Sequence, residues 1–549
     1  MPTRIRSLST LLAASLGLGL LLGQPERAEA FCGFYVAGAD AALYNDATMV
    51  VLMRDGKRTV LSMQNDYQGP PEDFALVVPV PVVLQEGDVK VLPKAVFERV
   101  DKLAAPRLVE YWEQDPCEAR KQHERRRRYR EDERMEESGA APNSLGVTIE
   151  AEFVVGEYQV VILSAEDSTG LDTWLRQENY NIPEGAEPVL RPYVEGGMKF
   201  FVAKVDVSKV QFVSKPDGSK RALLSPLRFH YDSEDFNLPI RLGLINARGP
   251  QDLLVHVLAP NQRYEAANYP NVTIPTNLVV KDQTREHFGQ FYVSLFDHTL
   301  AQHPNAVVTE YAWSASSCDP CPESPLSIEE LTVLGADVLP RYADGFDEQG
   351  QLLPESQVRW QIQSDFVLTR LHARYDKSSL GEDLVFQTAP GIAGGQGMPH
   401  NGKLELETRE TGGAWNSFQG RYAILHYWEG PTRCLRPMWD TWGGPPGNQL
   451  PADGAQPGPV VARELAFESR DGKLASFVTS SAHRTLKLEG EPPNDERPER
   501  TQVAEKKEVE RAAGKSGCSC SSSGSPGVGL VGLLALLGLI GLRREERHS

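Results

Sequence analysis

The chain is short of positive charge and of cysteine. Its 549 residues carry 57 Lys and Arg against 75 Asp and Glu, a formal net charge of −18. An acidic surface repels phosphate backbones, which argues against nucleic acid as a partner. Seven cysteines are too few for a disulfide-dense scaffold but enough for a few specific bridges. The short catalytic signatures are also missing: there is no Gly-x-Ser-x-Gly elbow, no His-Glu-x-x-His, no glycine-rich phosphate loop leading to a lysine and no calcium loop. Catalytic triads are defined by geometry rather than by order along the chain, so these absences narrow the chemistry without excluding it. Neither a cofactor nor a metal is expected. What the chain does have is ordinary for a globular protein: 24% charged and 40% hydrophobic residues, and enough length to bury a core that does not depend on disulfides.

Apolar residues concentrate at the two ends. Arg4 and Arg6 precede an apolar stretch over 11–22, and Ala28-Glu29-Ala30 follows as a cleavage site. This is the pattern of a secretory signal read by signal peptidase, with an apolar part too short to span a membrane. Cleavage after Ala30 leaves Phe31 at the mature start. Cys32 does not make a lipoprotein box, because bulky Phe31 stands where that box needs a small residue. At the other end, Gly517-Cys518-Ser519-Cys520 and a Ser/Gly stretch lead into an apolar run over 527–542, closed by Arg543, Arg544 and Arg547. The run is at the short edge of what spans a bilayer, and the arginines would keep the end in the cytoplasm while the body lies outside. A plain single-pass anchor and a processed sorting signal both fit. The Cys, Ser/Gly, apolar and Arg-rich series resembles the MYXO-CTERM sorting signal, which implies processing near Cys518 or Cys520 by a membrane protease of the myxosortase type and display at the cell surface.

Removal of both ends leaves Cys32, Cys117, Cys318, Cys321 and Cys434. Outside the membrane thiols tend to oxidise, and an odd number leaves one free or paired elsewhere. Cys318-Asp319-Pro320-Cys321 has three readings. A redox dithiol needs a helix starting at the first cysteine, yet Pro322 and Pro325 follow and the surroundings read as loop. A zinc site needs a second ligand pair, and none is spaced for it. Structural bridging, within the pair or to Cys434 or another cysteine, is the simplest.

Residues 48–53 and 57–63 flank Asp55-Gly56, a hairpin signal, and 148–155 and 158–163 flank Gly156-Glu157. Residues 74–83 read as an edge strand because Pro79 and Pro81 lack N–H groups two residues apart. Further strands are expected at 199–205, 227–231, 240–245, 253–258, 307–313, 366–375, 384–388 and 422–428, and helices at 92–103, 171–178 and 285–303. The charged run 118–137, with Arg125 to Arg128, reads as a solvated helix or a disordered insertion. The fold class expected is β-rich α+β: largely antiparallel sheets in two lobes, 31–260 (with the charged insertion at 118–145) and 261–430. A Pro/Gly-rich and charged linker or stalk over 431–515 and the tail over 516–549 complete the chain. Residues 31–36, the first hairpin, 73–81, 264–279 and 369–388 resemble the bacterial family called domain of unknown function 2330. That resemblance implies export and no particular activity.

Two constellations stand out. His287, His298 and His303 fall on one expected helix, but the first two would lie roughly 16 Å apart along its axis, too far to share an ion. In 369–376, Arg370, His372, Arg374 and Asp376 alternate with Leu371, Ala373 and Tyr375. The polar row is expected on a solvated sheet face with cross-strand charge pairs; the sharper alternative is a site for an acidic ligand or an active-site wall. His256 is expected in the core, and 391–397 as a glycine-rich loop. The functional expectation is an exported binding or structural surface protein without catalysis. The alternative is an extracytoplasmic hydrolase, or a thiol oxidoreductase using Cys318 and Cys321.

Overall fold

The computed structural model describes residues 34–36, 44–45, 48–64, 67–68, 75–117, 152–165, 167–177, 185–214, 220–245, 250–347, 350–354, 356–396, 408–445, 456–460 and 472–495. The charged run 118–137, Cys32, the expected cleavage site at Ala28 and Ala30, and the tail with Cys518, Cys520, Arg543, Arg544 and Arg547 lie outside them. Among the described residues no helix is long and apolar enough to cross a membrane.

Turn chemistry sets the first elements. Strands Thr48–Asp55 and Arg58–Gln64 pair antiparallel with Asp55 opposite Arg58. The tight turn is therefore Gly56-Lys57, one residue beyond the expected pair. Gly56 sits at φ +58°, which a residue without Cβ adopts freely. Strands Glu152–Val155 and Tyr158–Ser164 meet in the same way around Gly156.

These strands belong to a β-rich body of several mostly antiparallel sheets with a few helices. The largest sheet has 11 strands, and at its middle Val307–Ser314, Phe366–Tyr375, Gln251–Pro260, Thr48–Asp55 and Arg58–Gln64 lie side by side. Strands from both sides of residue 260 share it, so a division into lobes at that point coincides with no break in hydrogen bonding. The junction is the antiparallel pairing of Gln251–Pro260 with Phe366–Tyr375, register-matched over the full length of both strands. A five-stranded antiparallel sheet holds Phe34–Val36, Ala75–Val80, Lys199–Val205, Tyr158–Ser164 and Glu152–Val155. Ala75–Val80 is not an edge strand throughout. Its first half pairs on both sides, and only beyond Val77, where Pro79 sits, does one neighbour end.

The two faces of the large sheet bury different cores. One face contributes Val50, Leu52, Leu253, Val255, Leu371 and Ala373 to a cluster completed by the five-stranded sheet. The other packs against helices. Helix Lys94–Ala104 buries Val96, Phe97, Val100, Asp101, Leu103 and Ala104, the stripe expected when one helical face meets a sheet. Helix Phe288–Gln302 covers a third cluster with Phe291, Tyr292, Leu295 and Phe296. Two expectations fail locally. Residues 240–245 form a 3-10 turn, Arg241–Ile245, rather than a strand. The glycine-rich stretch near 391 is a strand, Ile392–Gly394, not a free loop. A Cβ on Gly395, at φ +62°, would collide with the Gln419 carbonyl. Close backbone approach, not mobility, explains glycine there.

Four cysteines are paired. Cys117 joins Cys434 across 317 residues with Cα atoms 5.6 Å apart. Cys318 joins Cys321 with Cα atoms 4.9 Å apart, in the turn between strand Val307–Ser314 and helix Ile328–Leu334.

Candidate functional site

The polar row on Phe366–Tyr375 carries charged side chains into the interior. The alternation is as read from the sequence: Leu371, Ala373 and Tyr375 join the first core, while Arg370, His372 and Arg374 turn to the helical side. That side is not solvated. Strands Gln251–Pro260 and Val307–Ser314 flank the row, the two helices cover it, and Arg370 and His372 are buried. The expectation of an exposed charged face is corrected by this covering, which no local pattern encodes.

Burial of charge is tolerated because each cation meets carboxylates. Arg370 donates through Nε to Glu310 Oε2 at 2.6 Å and through a terminal nitrogen to Asp101. His372 places Nδ1 2.7 Å from Glu310 Oε1 and Nε2 2.9 Å from Asp252 Oδ1. Arg374 donates to both oxygens of Asp252, at 2.8 and 3.1 Å, and to Asp297. The seam thus runs Asp101, Arg370, Glu310, His372, Asp252, Arg374, Asp297, alternating in sign throughout.

Local structure aims these groups. Asp252 stands opposite Arg374 in the ladder. Glu310 is the extra residue of a bulge: Thr309 faces Leu371, Tyr311 faces Arg370, and Glu310 lies between. Asp101 comes from the buried stripe of the first helix. The second helix supplies Asp297, the Tyr292 hydroxyl, which donates to Glu310, and Phe296. The Phe296 ring stacks on His372 at 3.8 Å and carries the Arg374 guanidinium 4.9 Å from its centre.

The electrostatics follow from this geometry. Burial alone would raise the Glu310 pKa, but His372 and Arg370 outweigh it and hold it at about 2. Asp252 is likewise lowered against its burial, by His372 and Arg374. Burial would neutralise His372, yet Glu310 and Asp252 raise its pKa above the usual value, so the imidazolium donates from both nitrogens. Burial and Glu310 push the Tyr292 hydroxyl well up, and it stays a donor. His256, opposite Arg370 in the ladder, is fully buried as expected. Its Nε2 is 3.8 Å from Asp101, but burial and Arg370 drive its pKa well down, so it is neutral.

A general base needs a lone pair facing its substrate. Both His372 nitrogens are committed to carboxylates, and the seam works as a clamp between sheet and helices, four carboxylates holding three cations. The recess beside Arg374, lined also by Tyr269, Asn305 and Ser379, leaves about 20 Å³ to the centre of a water molecule, room for roughly one water.

A second buried cationic pair lies at Arg107 and Arg421, Cα partners across two parallel strands. Arg107 donates to the carbonyls of Leu103, Ala105 and Pro320, and burial lowers its pKa to about 10. Arg421 donates to the Tyr111 hydroxyl and, at 3.1 Å, to Asn277 Oδ1. Pro320 belongs to the Cys318–Cys321 turn, so Arg107 braces the turn that carries the bridge. No helix begins at Cys318. Of the three histidines expected on one helix, His287 occupies the N-cap position of the second helix without a side-chain capping bond, His298 bonds the Leu486 carbonyl at 3.1 Å, and His303 is at the C-cap position. Among the described residues no group of three or more His, Cys, Asp or Glu is placed to hold a metal ion.

Sequence reasoning brought Arg370, His372 and Arg374 together but missed Asp101, Asp252, Tyr292, Asp297 and Glu310. A signal existed for two of them: Glu310 interrupts the apolar strand 307–313, and Asp101 sits on the apolar stripe of its helix.

No curated protein and no solved structure matches the chain. A family model described as "Uncharacterized protein conserved in bacteria (DUF2330)" matches residues 26–387, which takes in the charge seam and the Cys318–Cys321 turn, and the chain belongs to that family.

Proposed function

We propose that this is an exported protein of the cell surface or outer envelope whose β-rich body serves a binding or structural role without catalysis. Export begins with signal peptidase cleavage after Ala30. The tail over 516–549 holds the protein in the membrane until a myxosortase-type protease processes it near Cys518 or Cys520. The observation that carries the reading is the pairing of four cysteines into two bridges, since disulfides persist in oxidising compartments and are rare in the cytosol. The mutual saturation of the seam's charges supports a structural use for the histidine and arginine row.

Mass spectrometry of the mature protein without reduction tests this. A chain starting at Phe31, ending near Cys518 or Cys520 and carrying both bridges is expected. Intact precursor with Met1, Ser549 and reduced thiols in the soluble cell interior would overturn it.

A further inference from the structure

The two bridges differ in what they hold. Cys117–Cys434 closes a loop of 317 residues, so its loss frees a large part of the chain. Cys318–Cys321 closes three, and loop-closure entropy for so short a loop is small. The turn around it is also held by other means. Arg107 donates to the Pro320 carbonyl at 2.9 Å, and Gln419 donates to that of Asp319. Arg99 donates to the Ser324 and Pro325 carbonyls at 2.8 and 3.2 Å, and pairs with Glu323, as does Lys102. Arg107 and Gln419 are themselves buried. The turn therefore keeps its shape whether or not the sulfurs are joined. The sulfurs are also unequally placed: Cys321 is exposed, while Cys318 packs on the core with Leu326 and Leu331.

We propose that Cys318–Cys321 is a thiol–disulfide exchange site that accepts electrons from external thiols, Cys321 being the sulfur attacked. In the first step a thiolate RS⁻ forms a bond to Cys321 Sγ, the Sγ–Sγ bond breaks, and Cys318 leaves as thiolate. In the second, another RS⁻ attacks the R sulfur of the mixed disulfide, releasing RSSR and the Cys321 thiolate. Two thiols are oxidised and one disulfide is reduced, and solvent protonates the thiolates according to their pKa. The acidic neighbours Asp319 and Glu323 face Arg107, Arg99 and Lys102, so charge near the turn is balanced. No helix starts at Cys318 to activate a thiol of its own, so the attacking thiolate is external, and access together with a fold indifferent to reduction is what fits the bridge to the step. This does not depend on where the protein resides.

The test titrates the purified mature chain with glutathione redox buffers, alkylates it and maps the cysteines. Cys318 and Cys321 should be alkylated while Cys117–Cys434 stays closed, with the near-UV circular dichroism unchanged. Cys318→Ser should trap a glutathione adduct on Cys321, and Cys321→Ser should form one on Cys318 at least about tenfold more slowly. Equal resistance of both bridges, or loss of the near-UV spectrum when Cys318–Cys321 opens in the unmutated chain, would overturn the proposal. So would equal adduct rates in the two variants.

Discussion

Replacing Glu310 by glutamine removes one negative charge from the middle of the seam and leaves two cations facing it. The carboxylate accepts from Arg370, His372 and Tyr292. A hydrogen bond to a charged group contributes about 1.5–3 kcal/mol, and breaking a buried ion pair by removing one partner costs roughly 3–5 kcal/mol. Glutamine also turns an N–H group toward a donor. One relief lowers the figure: His372 can shed its proton and still donate to Asp252 from Nε2. The expected loss is therefore ~3–4 kcal/mol, on the order of 3–4 °C in melting temperature for a chain of this length. Thermal melts followed by near-UV circular dichroism, with the disulfides intact, would measure it. The pH dependence is the stricter check. Glu310 has a lowered folded pKa, so its stabilisation is present above the ordinary 4.5 and is lost as pH falls toward about 2. His372 has a raised one, so its share is complete below the ordinary 6.5 and is lost as pH rises through the folded value. The gap between wild type and Glu310→Gln should thus be widest at about pH 5.5 and narrow on both sides. A gap under about 1 kcal/mol there, or one indifferent to pH, would refute the clamp.

Three further outcomes follow from the structure. Gly395→Ala should lose ~2–4 kcal/mol in denaturant melts, because its Cβ meets the Gln419 carbonyl at positive φ; an unchanged midpoint would show that the strand is loosely packed. Cys117→Ser combined with Cys434→Ser should cost up to about 5 kcal/mol, the size expected for closing so long a loop, and should show as a large fall in melting temperature. His256→Leu should stay within about 1 kcal/mol of wild type at neutral pH and resist acid better. The native histidine has a depressed folded pKa, so its protonation costs stability as pH falls below 6.5, and an acid transition unmoved by the substitution would contradict this.

Much of the secondary structure was legible because it rests on local rules. Asp55-Gly56 and Gly156-Glu157 marked hairpins, and the strand at 366–375 has the bounds that its alternation predicts. The signal failed where the rule was not local. The apolar segment 240–245 satisfied strand periodicity but closed into a 3-10 turn, and the glycines near 391 looked like a flexible loop because their crowding comes from Thr276, Thr408 and residues 411–419. The sequence also offered no reason to prefer Cys117 over the other cysteines as the partner of Cys434.

The amino-acid order by itself determined that Arg370, His372 and Arg374 share one face, since a strand repeats every two residues. Only the tertiary structure decided that this face lies in the interior. Its neutralising partners come from positions 101, 252, 297 and 310, carried on separate helices and strands, and Glu310 reaches its place only through a bulge. Local periodicity says which way a side chain points along its own strand. Whether it meets water or a carboxylate depends on contacts made by chain that is distant in sequence.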